Sequence, residues 1–348
     1  MAVPRKPRGR VDGQSWATRS LAALVVLTFA VGAFLVMTDA AHARAVASGS
    51  SRDTLAGSTT TSTAAAPSAS STTAPTSTTS TSSTAPTTST TIAGPPFATS
   101  TSSVTLTDTS RTSPARDGAT GSPIRTLRTL VVAPVTSRGP LPVIVFAHGY
   151  DTEPETYVTL LQDWASAGYL VVAPESPGSA SDLPGTPIRS DIGGQAQDLS
   201  FVVTAALAGT FGPVDASRVT VAGHSDGGSA VATLALNDSY HDGRIANYLV
   251  LSGAIPDGVD GTWGTAPETG RLLVVVGDQD EYGNLSASTE VYDTATMAKT
   301  LAVAPGGDHM DTYIADTDLA QQVRAETLAF LAGTVSPGSL ELSSSSAA

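Results

Sequence analysis

The chain of 348 residues has no cysteine, and its basic residues are scarce. Without a thiol it can form no disulfide and can use no cysteine nucleophile. The 18 Lys and Arg stand against 31 Asp and Glu, which gives a formal net charge of −13. A protein this acidic repels nucleic acid and anionic lipid surfaces, so we expect no nucleic-acid partner.

The features of cofactor and metal sites are also absent from the sequence. No glycine-rich loop of the dinucleotide- or phosphate-binding kind follows a predicted strand. The pair Asp257 and Asp260 lacks the oxygen-rich spacing of a cation site. We therefore expect neither a cofactor nor a bound metal.

The first 45 residues have the order of a targeting segment. A basic stretch precedes an apolar run of 17 residues, Leu21 to Met37, and Ala-x-Ala motifs follow at 41–43 and 43–45. The run is longer than a usual signal core and just shorter than a confident membrane span. The pattern favours a cleaved signal peptide over an uncleaved N-terminal anchor. Both interpretations predict a secreted or cell-surface protein. A membrane or cell-envelope tether through the N-terminus is compatible with this prediction.

Residues 46–103 consist almost entirely of Ser, Thr, Ala and Pro. Such a segment buries too little apolar surface to offset its conformational entropy, which predicts a disordered linker. In an exported protein this composition is typical of flexible spacers and of O-glycosylated stalks. Residues 335–348 form a second low-complexity segment, predicted to be a disordered tail. One folded domain is thus predicted at 104–334.

Within 104–334, near-continuous Val, Ile and Leu runs alternate with amphipathic segments. This predicts an α/β fold with a mostly parallel central sheet and helices on both faces. Helices are predicted at 154–167, 191–208, 226–236, 287–298 and 316–332. Strands are predicted near 103–109, 126–133, 143–147, 169–173, 218–222, 247–252, 271–276 and 300–304.

Only about 19 residues separate the predicted strands that end near Ser252 and begin at Arg271. A connection this short has no room for a helical cap domain, so we expect an open, shallow site. Trp263, which lies in this connection, is a candidate for an exposed aromatic that rims the substrate. A packed surface tryptophan is an equally good interpretation of it.

The motif Gly223-His224-Ser225-Asp226-Gly227 joins a predicted strand to a predicted helix. A G-x-S-x-G sequence in this context is typical of a nucleophile elbow, a sharp turn that exposes a serine hydroxyl. A serine is a poor nucleophile unless a histidine accepts its proton and a carboxylate orients that histidine. We therefore look for both partners after Ser225.

Elimination among the five histidines leaves His309, just past the strand at 300–304. The chain order Ser, Asp, His then requires an acid between positions 225 and 309, after a strand. Asp280 and Asp278 both qualify. Asp280 is preferred, because the residue directly after the strand-ending Gly277 tends to be held in the turn.

An oxyanion formed during attack on an ester needs backbone N–H donors. The residue after the nucleophile, Asp226, supplies one, and the loop His148-Gly149-Tyr150 supplies the other, for which we favour the N–H of Tyr150. The charge of Asp226 would oppose a neighbouring oxyanion unless its side chain turns away or pairs with a cation.

Together these motifs resemble the α/β-hydrolase superfamily over about 105–331. Within it they resemble the group of cutinase-like polyester hydrolases, chlorophyllases and platelet-activating-factor acetylhydrolases. The resemblance implies an α/β-hydrolase fold without a large cap domain. The stretches that carry it are 142–149, Gly168 to Pro174, Gly223 to Gly228, Gly277 to Asp280 and Gly307 to His309.

The resemblance also implies roles: Ser225 as nucleophile, Asp280 as acid and His309 as base, with oxyanion N–H groups from Tyr150 and Asp226. Two departures weaken a polyester assignment more than a general esterase one. There is no cysteine for the disulfide that cutinase-like enzymes often have, and Asp226 stands where an apolar residue, often Met, is usual.

The sequence thus predicts an exported serine hydrolase that cleaves small-molecule or polymeric carboxylic esters through an acyl-enzyme. Two alternatives stay open. One is an acyltransferase that acts on envelope sugars or lipids, and the other is a catalytically inactive surface binding domain. No feature of the sequence specifies an oligomeric state.

Overall fold

The computed structural model describes residues 97–136, 139–266 and 269–342. The predicted signal or anchor at 1–45 and the predicted linker up to residue 96 lie outside the described residues. So do residues 343–348 of the predicted tail. Within the described part of the chain, no helix combines the length and the apolar character needed to cross a membrane.

Within the described residues, nine strands form the central sheet: β1 Thr99–Asp108, β2 Arg125–Pro134, β3 Leu141–Ala147, β4 Leu170–Pro174, β5 Val214–His224, β6 Asn247–Leu251, β7 Arg271–Gly277, β8 Ala298–Ala304 and β9 Gly338–Glu341. Their order across the sheet is β1-β2-β4-β3-β5-β6-β7-β8-β9. From β4 to β9 every neighbouring pair is parallel, whereas β1 and β2 pair antiparallel with each other and β2 pairs antiparallel with β4. The predicted mostly parallel sheet is confirmed.

The described part of the chain has six α-helices, which cover the sheet: α1 Val158–Ser166, α2 Ile192–Leu207, α3 Asp226–Leu236, α4 Asn284–Thr294, α5 Asp311–Ile314 and α6 Asp318–Leu331. A 3₁₀ turn at Pro154–Tyr157 leads into α1. Alternation along the strands divides the core in two, because successive side chains point to opposite faces. Val143 and Val145 pack beneath α2, α3 and α4, whereas Ile144 and Phe146 pack beneath α1, α5 and α6.

Two strands correct the predicted domain boundaries. β1 begins at Thr99, inside the segment predicted to be linker, and pairs with β2 along its whole length. β9 lies inside the predicted tail and pairs with the open edge of β8. Composition misjudged both segments because their backbones gain ladder hydrogen bonds from a neighbour that is distant in sequence, and local polarity does not oppose that pairing.

Helix positions also differ in detail from the prediction. α4 begins and ends three to four residues earlier than the predicted 287–298, after Gly283, which has a left-handed φ of 72°. α5 was not predicted, since four residues are too few to show a helical period.

A buried ion pair joins β2 to the start of α2. Arg125 is 2% exposed, and its Nε and Nη2 each lie 2.6 Å from an oxygen of Asp198. Its Nη2 also donates to Asp191 at 2.6 Å. Breaking such a pair leaves an uncompensated buried charge, so Arg125 fixes the place where the loop between β4 and α2 ends.

Candidate active site

Ser225 occupies the sharp turn between β5 and α3. Its φ of 56° and ψ of −122° place it in a region that residues other than glycine rarely adopt. The turn is held in place because the Ser225 N–H donates to the carbonyl of Leu251 at 2.9 Å. Strained backbone of this kind persists only where the surrounding structure determines it, and it concentrates at functional sites. The predicted elbow is present.

The glycines of the motif are required by close backbone contacts. A Cβ at Gly227 would clash with the carbonyl group of Ala147, and a Cβ at Gly223 would clash with the carbonyl group of Gly227. Both contacts are with backbone, which cannot move away as a flexible side chain could. The elbow therefore tolerates no side chain at position 223 or at position 227.

We predict that Gly227→Ala destabilises the protein by about 3 kcal/mol or more, because overpacking against fixed backbone is costly. Gly243→Ala is the matched control: a Cβ there meets nothing within 4 Å, and Gly243 is not among the residues with positive φ. It should change the free energy of unfolding by less than about 0.5 kcal/mol. Urea unfolding of both variants measures the difference, and equal stabilities would contradict the prediction.

His309 and Asp280 converge on Ser225 from two other loops. The His309 Nε2 lies 3.0 Å from the Ser225 Oγ, and the His309 Nδ1 lies 2.8 Å from Oδ2 of Asp280. The three residues follow β5, β7 and β8, whose carboxyl ends meet at one edge of the sheet. With Nδ1 protonated and donating to the carboxylate, Nε2 is free to accept the proton of the serine hydroxyl.

The surroundings of Asp280 stabilise its ionised form. Burial raises the pKa of this carboxyl, but hydrogen bonds from His309 and other donors outweigh burial, and the pKa lies below its usual value. The other donors are the side chain of Ser252 and the N–H of Tyr282, which lies 3.1 Å from Oδ1. The side-chain amide of Asn284 also lies 3.1 Å from Oδ1. Asp278 is exposed, and its carboxylate accepts the N–H of Gly306 at 2.7 Å. The structure thus brings Asp280, rather than Asp278, to the histidine.

Sequence reasoning did not find Asn284. Besides its bond to Asp280, its Nδ2 lies 3.1 Å from the His309 Nδ1. This amide therefore holds the carboxylate against the ring. In the sequence Asn284 is marked only by its position four residues after Asp280. An asparagine at the start of a helix is common, so this position does not single it out.

A buried hydrogen-bond chain lies beneath the site. The Gly149 N–H donates to the Tyr157 hydroxyl at 3.2 Å, and that hydroxyl is 2.8 Å from the His224 Nδ1. The His224 Nε2 lies 2.8 Å from the carbonyl of His309. A carbonyl can only accept, so His224 carries its proton on Nε2 and accepts the tyrosine hydroxyl at Nδ1. These hydrogen bonds link the loop after β3 to the loop that carries His309.

His148 ties a second pair of loops together. Its Nδ1 donates to the carbonyl of Gly149 at 2.8 Å, and its Nε2 accepts the N–H of Ser176 at 2.9 Å. Burial lowers the pKa of His148 to about 4. Burial, helped by the charge of His309, lowers the pKa of His224 to about 3. Both rings are therefore neutral in the folded protein.

We predict that stability falls as the pH drops from 7 to 5. Below the usual histidine pKa, near 6.5, the unfolded chain binds a proton on each ring that the folded protein excludes until about pH 4 for His148 and about pH 3 for His224. Each ring should contribute a loss of about 2 kcal/mol over this range. Urea unfolding at both pH values measures the loss. The loss should be smaller by about 2 kcal/mol in His224→Gln, and an equal loss in both proteins would be evidence against this assignment.

The two predicted oxyanion donors belong to the residue after the serine and to the loop that follows β3. A Cβ at Gly149 would lie 3.2 Å from the Ser225 Cβ, which places the loop carrying Tyr150 against the nucleophile. Among the described residues, neither the N–H of Tyr150 nor that of Asp226 has a hydrogen-bond partner. Both donors are thus available to an oxygen bound beside Ser225.

The side chain of Asp226 is paired with a cation. This pairing is one of the two arrangements that would keep its charge from opposing a neighbouring oxyanion. The Arg189 Nη1 lies 2.6 Å from its Oδ1. Burial raises the pKa of Asp226, and the charge of Arg189 opposes that rise. Loop 175–191 therefore supplies the counter-charge for the residue after the nucleophile.

Trp263 does not lie where the sequence placed it. It bridges to Asn237 at the carboxyl end of α3 and packs, partly buried, against the core. Eleven helical residues separate that end from Ser225, about 16 Å at 1.5 Å per residue. The connection after β6 runs along α3 away from the site, so the predicted rim role of Trp263 is wrong. Tyr282 is the exposed aromatic at the site: it is 69% exposed, and its ring centroid lies 4.7 Å from that of His309.

In the part of the chain that the structure describes, no helix covers the site as a cap would. The described residues between β6 and β7, 252–266 and 269–270, contain no helix. Among the described residues, no group of three or more acidic, histidine or cysteine side chains is placed to hold a metal ion.

Comparison with known proteins gives one family match. The Chlorophyllase family model matches residues 103–274, a stretch that includes the elbow and the loop after β3 but ends before Asp280 and His309. No curated protein matches the sequence.

Solved structures resemble the chain at low sequence identity. A ferulic acid esterase from Streptomyces cinnamoneus is 19% identical with a TM-score of 0.50, over 70% of this chain and 91% of the esterase. The esterase Est22 is 16% identical with a TM-score of 0.48, over 68% of this chain and 81% of the esterase. The first likeness shows a shared fold, and with the sheet order and the absence of a large cap it confirms the fold predicted from the sequence.

Proposed function

We propose that this chain, which has the α/β-hydrolase fold, is a serine hydrolase that cleaves carboxylic esters through an acyl-enzyme. One observation carries the proposal: the contacts that run from Ser225 Oγ through His309 to Asp280, at 3.0 and 2.8 Å. These distances lie within the reach that proton transfer to a general base requires. The matching family model and the ferulic acid esterase that shares the fold are consistent with it.

The reaction follows from the geometry. The Ser225 Oγ attacks the ester carbonyl carbon while its proton passes to the His309 Nε2, and Asp280 stabilises the imidazolium that forms. The carbonyl oxygen becomes an oxyanion that accepts the N–H groups of Tyr150 and Asp226. As the tetrahedral species collapses, the C–O bond to the alcohol breaks and His309 returns the proton to the leaving oxygen. Water then repeats these steps on the acyl-enzyme and releases the acid.

The open site favours short acyl esters or accessible polymeric esters over sequestered long-chain lipids. Tyr282 offers an exposed ring beside the base, and Leu285, three residues later, is 36% exposed. An apolar acyl or alcohol group lying on them would bury surface that is otherwise exposed to water.

We further propose that the enzyme acts outside the cytoplasm, secreted or held at the cell surface. The basic and apolar order of residues 1–45 supports export, and the Ser/Thr-rich segment suits a spacer between a cell envelope and the catalytic domain. Sequencing the N-terminus of the protein recovered from its native producer tests this, because cleavage near 43 or 45 is expected.

Rapid mixing with a 4-nitrophenyl ester tests the proposed chemistry. We expect a burst of nitrophenol, up to one equivalent if deacylation is the slower step, and an acyl group on the peptide containing Ser225 by mass spectrometry. Added alcohols distinguish hydrolysis from acyl transfer through the ratio of free acid to new ester. A protein that releases no nitrophenol and takes up no fluorophosphonate label at Ser225 would be a binding domain, and the proposal would fail.

A further inference from the structure

Arg189 is an exposed cation fixed beside the nucleophile. Its side chain is 59% exposed, its Nη1 contacts the Asp226 carboxylate at 2.6 Å, and its guanidinium carbon lies 4.3 Å from the centroid of the Tyr150 ring. Asp226 and Tyr150 are the two residues whose N–H groups bind the oxyanion in the proposed reaction. The guanidinium therefore spans the two sides of the oxyanion-binding region.

The backbone around Arg189 is held on both sides. The Tyr150 hydroxyl donates to the carbonyl of Pro187 at 3.0 Å, and the N–H of Ile188 donates to the carbonyl of Gly178 at 2.8 Å. Two residues beyond Arg189, the carboxylate of Asp191 is bound to buried Arg125. A cation on a fixed loop loses little conformational entropy when it binds a ligand. The arrangement therefore favours ligand binding over the role of a surface charge that contacts only water.

The partner of Arg189 is an unusual one. The side chain of Asp226 is 6% exposed, and its Oδ2 is buried without a hydrogen-bond partner. A buried carboxylate next to the oxyanion opposes catalysis unless its charge is balanced. The advantage it offers is an anchor: it holds one edge of the guanidinium, while the rest of the group faces solvent.

Most of the hydrogen-bonding capacity of Arg189 is unused. A guanidinium has five N–H donors in a planar fork, and within the described part of the chain Asp226 is its sole hydrogen-bond acceptor. The planar fork matches the two oxygens of a carboxylate.

We propose that Arg189 binds a carboxylate carried by the ester substrate, so that the preferred substrates are half-esters of dicarboxylic acids. The inference rests on the proposed ester hydrolysis at Ser225 and specifies its substrate class. A carboxylate suits this site better than a phosphate monoester, because a doubly charged group is repelled more strongly by a chain of net charge −13.

The test uses matched pairs of substrates: mono-4-nitrophenyl esters of succinic, glutaric and adipic acid, each beside its uncharged carboxamide analogue. For at least one of the three acyl chain lengths, the wild-type kcat/KM for the carboxylate ester should exceed that for the carboxamide ester by about fivefold or more. The factor is modest because the guanidinium is exposed to water. In Arg189→Met this preference should disappear or reverse, because Asp226 then repels the carboxylate.

Arg244→Met is the control for a lost positive charge. Arg244 also contacts an aspartate at 2.6 Å and is 40% exposed, but it precedes β6, at the opposite end of that strand from Ser225. Its preference ratio should equal that of the wild type. The wild-type preference should also shrink in 0.5 M NaCl, a measurement that does not depend on whether the Arg189 variant folds.

The outcomes separate the two proposals. If the wild type hydrolyses none of the esters, ester hydrolysis itself fails. If it hydrolyses the carboxamide esters and the carboxylate esters equally at every chain length, ester hydrolysis stands and the role of Arg189 is overturned. The same conclusion follows if Arg189→Met keeps the full preference.

Discussion

Replacing Ser225 with alanine should lower kcat/KM for ester hydrolysis by about 10⁴-fold or more, because no other group takes the place of the attacking oxygen. The variant should still fold, because the elbow needs a small side chain and the Ser225 Oγ has one hydrogen bond, to His309, among the described residues. Rates with a 4-nitrophenyl ester, together with urea unfolding, measure both effects.

Ser217→Ala serves as the matched control. Ser217 lies on β5, the strand that precedes Ser225, is exposed, and bonds through its hydroxyl to Asp215 at 2.6 Å. It should retain full activity and fluorophosphonate labelling, whereas Ser225→Ala should lose both. A Ser225→Ala protein that kept more than a few per cent of the wild-type rate would refute the assigned nucleophile.

Replacing Asp280 with asparagine should lower kcat by about 10³- to 10⁴-fold. The amide cannot stabilise the imidazolium, and its NH₂ group favours the tautomer of His309 in which Nε2 carries the proton and cannot accept that of Ser225. The loss should appear in kcat rather than in KM, since Asp280 is placed to act on the transition state rather than on bound substrate.

Asp278→Asn provides the comparison, because it makes the same chemical change two residues away. Asp278 holds the turn by accepting the Gly306 N–H and, among the described residues, forms no hydrogen bond or ion pair with His309. Its loss should cost less than about tenfold, an effect transmitted only through the loop. The opposite ranking of the two variants would move the acid to position 278.

Elements formed by local pattern could be predicted well. Continuous apolar runs identified the buried parallel strands, and glycines around Ser225 identified the elbow, because both follow from steric and solvent preferences of a few neighbouring residues. Elements formed by pairing with a distant neighbour could not. Residues 99–103 were assigned to the linker because nothing in their own composition indicates that β2 lies beside them.

The same distinction explains the error at Trp263. A loop's length and composition say whether it is exposed, but its path depends on the surfaces along which it packs. The connection after β6 follows α3 away from Ser225, and the aromatic at the site is Tyr282, whose only sequence signal is a position two residues after Asp280.

The sequence by itself determined the fold class, the strained serine turn and the chain order of a candidate nucleophile, acid and base. The fold class follows from the periodicity of apolar residues, the turn from the glycines around the serine, and the chain order from polar residues that follow predicted strands. The tertiary structure alone decided which aspartate meets His309, that Asn284 supports it, and that Arg189 balances Asp226. Each of these depends on distances of about 3 Å between residues from separate loops, and such distances are fixed only when the whole sheet and its connections have packed.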